Sequence, residues 1–137
     1  MPRADNAGGS VAMQTRDQKY AITAYKHVSK VSEDDKQSYG AMAHKLPILI
    51  RTAGLAQALA FVDTRGKKPQ TQLLTDIALT IGQADNQTLL KRACQAELSE
   101  YIHLTKQVMD ALLWYKRFAQ SILGIDASDT NDENEVQ

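Results

Sequence analysis

A proline set inside an apolar helical stripe constrains this chain more than any other feature. Over residues 39–62 the sequence reads YGAMAHKLPILIRTAGLAQALAFV. Tyr39, Met42, Ala43, Leu46, Leu49, Ile50 and Ala53 recur at three- and four-residue spacing, which lines them along one side of a helix. Pro47 has no amide hydrogen for the carbonyl of Ala43, and its ring crowds the preceding turn, so a helix running through it is predicted to bend. Gly54 then marks a helix end, and Leu55, Ala58, Leu59 and Val62 begin a second stripe. The stretch predicts a kinked helix folded back on a short, alanine-rich one.

The rest of the chain supplies cover for that hairpin. β-branched residues never alternate with polar ones over a strand length, and only three prolines and seven glycines occur in 137 residues, so the chain reads as all-α. With 43% apolar residues it has material for a single core and no need of a second domain. The lone cysteine, Cys94, has no partner for an intramolecular disulfide, and residues 1–13 lack the apolar centre of a signal peptide, which points to a cytoplasmic protein. No apolar run reaches the ~20 residues of a membrane span.

A net charge of zero hides an uneven distribution. Five acids and no bases lie from Asp126 onward, and residues 1–13 hold one of each, which leaves a net of +5 over residues 14–125. The bundle is thus mildly basic and the tail acidic, a balance compatible either with phosphate contact or with an ordinary solvated helical surface.

In chain order, residues 1–13 show no periodicity and are expected to be a disordered leader, with 126–137 an acidic disordered tail. A first helix is predicted from Thr15 to Val31, with Tyr20, Ala21, Ala24, Tyr25, Val28 and Val31 inward and Lys19, Lys26 and Lys30 off that stripe. Ser32, followed by Glu33, Asp34 and Asp35, suits a helix N-cap with acids in the first turn. Gly66 ends the third helix, Lys67 and Lys68 stand in a loop, and Pro69 restarts the chain. The fourth helix, from about Gln70 to Ile81, turns Leu73, Leu74, Ile77, Ala78 and Ile81 inward. Asp85 or Asn86 caps a fifth, carrying Leu89, Leu90, Ala93 and Cys94, the last read as a small buried apolar residue. The sixth and longest helix, from Leu98 to about Leu123, keeps a seven-residue rhythm through Leu98, Tyr101, Ile102, Thr105, Val108, Met109, Leu112, Tyr115, Ala119 and Ile122. Several shorter amphipathic helices need a partner, which favours an intramolecular bundle over a coiled-coil dimer.

Tyr39-Gly40, Lys45-Leu46-Pro47 and Ile50-Arg51-Thr52-Ala53-Gly54-Leu55-Ala56-Gln57-Ala58-Leu59-Ala60-Phe61 are followed some fifty residues later by Trp114-Tyr115-Lys116-Arg117-Phe118-Ala119. Together they resemble the small α-helical subunit of the type III-B CRISPR (Cmr) effector complex, over roughly Gln14 to Leu123. The resemblance implies a non-catalytic bundle that stacks on copies of itself as a minor filament beside the backbone subunits. It also implies support for the binding of guide RNA and target RNA, with no cofactor.

The residues themselves agree on chemistry. His27, His44 and His103 are nowhere three or four apart, and Cys94 is the one thiol, so no metal site is predicted. There is no GxxxxGK[ST], GxGxxG or GxSxG, hence no local support for phosphate-loop or nucleophile-elbow catalysis. Glu97 and Glu100 share a face where acids stabilise a helix start. RNA contact would act through bases: His44 and Arg51, seven apart on the kinked helix, with Lys45 beside them; then Lys67 and Lys68; then Lys116 and Arg117 beside Trp114. For each group the alternative is a solvated face, for the third also a protein interface, and for Trp114 core packing rather than base stacking. The expected architecture is a single bundle of about six helices over residues 14–125. The expected role is a structural subunit of the RNA-guided complex; the alternative is a free-standing helical regulator binding duplex DNA.

Overall fold

The computed structural model describes residues 13–128; the leader up to residue 12 and the tail from residue 129 lie outside the described residues. Six helices follow in order: α1 (Arg16–Ser29), α2 (Lys36–Ala53), α3 (Leu55–Arg65), α4 (Lys68–Thr80), α5 (Asn86–Gln95) and α6 (Leu98–Ser121). No strand occurs among the described residues. One cluster of buried side chains joins all six, from Tyr20, Ala24 and Val28 of α1 to Leu104, Val108, Ala111, Leu112, Tyr115 and Ala119 of α6. The all-α bundle of six helices is therefore as the sequence pattern predicts.

Local chemistry explains most boundaries. Thr15 caps α1 reciprocally with Gln18: its hydroxyl accepts from the Gln18 amide at 3.0 Å, and Gln18 Oε1 accepts from the Thr15 amide at 2.8 Å, satisfying donors a helix start leaves free. Asp85 is the cap of α5, accepting from the Thr88 amide at 2.8 Å, and this bond holds its carboxyl below its ordinary pKa. Ser32 does not cap α2. Its carbonyl accepts from the Asp35 amide at 3.0 Å in a turn, which places Asp35 rather than Ser32 at the N-cap, and α2 begins at Lys36 without a side-chain cap.

α2 continues through Pro47 to Ala53. Gly54, at φ 90°, separates it from α3, a backbone state that side chains disfavour. α3 lacks a cap of its own, and the Tyr101 hydroxyl from α6 accepts the Ala56 amide at 3.0 Å in its place. Chain reversal between α2 and α3 is thus secured by a residue from the far end of the sequence.

At the other end of α2 the chain makes a second long-range closure. After α6, Leu123 and Ile125 are buried, and the Ile125 amide bonds the Ala119 carbonyl at 3.0 Å. A Cβ on Gly40 would come within 2.8 Å of Ile125 Cβ, so α2 carries glycine where this segment crosses it. The Ile125 carbonyl meets His44 Nε2 at 2.8 Å.

Several inward assignments need correcting, Ala53 among them, which is exposed at the end of α2. Cys94 is exposed rather than buried, because α5 lays only Asn86, Leu89 and Ala93 against the bundle. Leu98 and Ile102 are 74% and 59% exposed, and Ile122 is 37% exposed; the buried stripe of α6 runs instead through Leu104, Val108, Ala111, Leu112, Tyr115 and Ala119. Tyr25 is also exposed, packing edge-on against Phe118 at 5.5 Å.

Candidate nucleic-acid interface

The seven basic candidates fall on three separate places. Arg51 is exposed in the last turn of α2, and Lys45 is half-buried earlier on it. Lys67 and Lys68 are exposed at the start of α4. Lys116 is half-buried and Arg117 exposed in the C-terminal half of α6. Arg51 and Lys67 flank the two ends of the 11-residue α3, which at 1.5 Å per residue sets them about 16 Å apart along its axis.

His44 is the exception, and its reading as an outward residue is overturned. It is 4% exposed, roofed by the returning Leu123–Ile125 segment. Since a carbonyl only accepts, Nε2 carries the proton shared with Ile125. Nδ1 has no partner, so the ring is a fixture of the fold. Seven-residue spacing put His44 and Arg51 on one face correctly, but only the helix end escapes the roof.

Trp114 is also tied down. Its indole Nε1 donates to Asp17 Oδ1 at 2.9 Å, and its ring stacks on Phe118 at 5.7 Å. Arg16 of α1 reaches Asp110 of α6 at 2.6 Å. Together these contacts fasten α1 to α6 and occupy the aromatic surface beside Lys116 and Arg117.

A polar cluster inside the bundle escaped the sequence reading altogether. Asp76 of α4 is 5% exposed. Its Oδ2 accepts from the Tyr39 hydroxyl at 2.6 Å and its Oδ1 from Gln72 Nε2 at 2.9 Å. The Asp76 carbonyl accepts from the hydroxyls of Thr80 at 2.7 Å and Tyr115 at 3.1 Å. The Tyr115 hydroxyl also lies 2.7 Å from Thr80 Oγ1 and 2.7 Å from His27 Nδ1. Burial, reinforced by the Asp76 charge, raises the Tyr39 hydroxyl far above its ordinary pKa; burial likewise raises Tyr115. Both phenols remain donors or acceptors, not bases. The signal was present: Asp76 interrupts the inward run of Leu73, Leu74, Ile77 and Ala78 on α4.

Among the described residues no group of three or more His, Cys, Asp or Glu is placed to hold a metal ion. No helix among them is long and apolar enough to cross a membrane.

What the described residues offer is a helical core with scattered surface charge. Residues 16–122, spanning α1 to α6, match the family model for CRISPR-associated protein (Cas_Cmr5), and the chain belongs to that family. It is 45% identical over 112 residues to the CRISPR system Cmr subunit Cmr5 of Thermus thermophilus, covering 81% of this chain and 98% of that one. An X-ray crystal structure of a CRISPR-associated Cmr5 family protein from the same organism superposes with a TM-score of 0.74 at 45% identity, covering 81% of this chain and 99% of that one. The family suggested by the Lys45-Leu46-Pro47 and Trp114-to-Ala119 segments is thus the family found.

Proposed function

We propose that this chain is a non-catalytic structural subunit of a Cmr RNA-guided complex, where it stacks on copies of itself and supports the binding of guide and target RNA. The observation that carries this reading is the span of the match: 98% of a protein named as a Cmr subunit aligns with 81% of this chain. Lys45, Arg51, Lys67, Lys68, Lys116 and Arg117 are the bases proposed to contact RNA phosphate, with Arg51 first because it is exposed where α2 emerges from cover. Contacts of this kind confer affinity without reading sequence and weaken with salt.

Reconstituting the complex with and without the chain tests the proposal. Omission is expected to shorten the particle and lower target-RNA affinity; unchanged length together with unchanged affinity rejects it. The regulator alternative requires tight duplex binding by the isolated protein. A gel shift on isolated chain and duplex DNA separates the two, because a small basic surplus acting only within an assembly binds duplex weakly.

A further inference from the structure

A cavity of about 450 Å³ opens between α1, the α1–α2 turn, α2 and α4, with Asp76 and Tyr39 among the residues that line it. The position of Asp76 there is anomalous. A buried carboxylate is costly unless a cation neutralises it. Yet among the described residues the only basic group within 4.0 Å of Asp76 is His27, whose Nδ1 stands 3.9 Å away and is already engaged with the Tyr115 hydroxyl. The two hydrogen bonds to its oxygens come from neutral donors, Tyr39 and Gln72. A carboxylate offers about four acceptor positions, so capacity for further donors remains.

The remaining lining adds to that demand. Asp35 supplies a second carboxylate at the edge, while Val31, Pro69 and Leu79 supply apolar surface, Leu79 being 45% exposed. An anionic floor beneath an apolar wall suits a side chain with a hydrocarbon stem and a cationic head. Several acceptors around one space match the planar, five-donor guanidinium better than the compact ammonium of lysine. Lys30 lines the same cavity and opposes any cation that enters.

We infer that this cavity is a docking site for an arginine side chain of a protein partner, with Asp76 as its anchor. The inference rests on the subunit reading only for the source of the arginine. The cavity itself is testable in the isolated chain, so failure there leaves the assembly reading standing, and failure of assembly leaves the cavity standing.

The test is an NMR titration of the full-length chain with methylguanidinium, against methylammonium and guanosine monophosphate at matched ionic strength. A saturable shift of the Gln72 side-chain amide and the His27 ring, with half-saturation on the order of 1 mM for so small a probe, is expected for methylguanidinium. Methylammonium should bind more weakly. Asp76→Asn should weaken binding by about tenfold or more, and Leu79→Trp, which puts a bulkier side chain at a half-exposed lining position, should do the same. Lys30→Met should tighten it. If Asp76→Asn fails to fold, the folded Leu79→Trp variant decides. No saturable shift, binding retained in both variants, or saturation by guanosine monophosphate without a response to methylguanidinium each overturns the inference, the last in favour of a nucleobase.

Discussion

The two halves of α2 meet different surroundings. Before Pro47 most of the helix is covered: Tyr39, Gly40, Ala41, Met42, Ala43, His44 and Leu46 are all buried, with Lys45 half-buried among them. Beyond it only Ile50 is buried; Ile48, Arg51, Thr52 and Ala53 are exposed. An apolar stripe accounts for one side of the first half, and the returning Leu123–Ile125 segment with the Asp76 cluster accounts for the others. The difference teaches that a stripe tells which side of a helix must be covered, not whether the other sides are free. Residues of one sequence motif thereby divide between holding the fold and facing solvent.

Substitutions can break or sharpen this contrast. The largest effect is expected for Gly40→Val, because even a Cβ there would approach Ile125 Cβ at 2.8 Å; overpacking of this kind costs about 3 kcal/mol of unfolding free energy, read by denaturant titration. Ile125→Ala removes the same closure from the opposite side and should cost about 2 kcal/mol. Tyr39→Phe deletes the donor to Asp76 Oδ2 and is expected to cost about 1.5 kcal/mol, in the range for a hydrogen bond to a charged group. At the open end Ile48→Ser, on a side chain 55% exposed, should change stability by no more than about 0.5 kcal/mol. A loss at Ile48 comparable to that at Ile125 would erase the distinction between the halves.

Helix number, order and most inward positions were legible because they rest on period and local caps. Thr15, Gly54, Gly66 and Asp85 announce their boundaries through side-chain or backbone chemistry that acts within a few residues. Features set by distant chain were not legible. His44 looks like an outward residue until Ile125 arrives from 81 positions away. Tyr101 substitutes for a missing cap across 45 positions, and the Asp76 cluster draws on α1, α2, α4 and α6 at once. Cys94 was misplaced for a simpler reason: α5 buries so narrow a strip that adjacent residues differ in exposure. Of the basic candidates, exposure sorts His44 from the rest, whereas contact with RNA depends on the assembly.

On this reading the bases of α2 serve the complex while its buried side chains serve the fold, and the charge-reversed pair Lys45→Glu/Arg51→Glu tests that division most directly. The measurement is target-RNA affinity of the reconstituted complex across a salt series, with the thermal transition of the isolated chain recorded alongside. If both residues contact phosphate, affinity falls while the transition stays in place, and the slope of log affinity against log salt drops by about 1.4, at roughly 0.7 per single-strand phosphate contact. Unchanged affinity and unchanged slope in a folded, incorporated variant would contradict the claim.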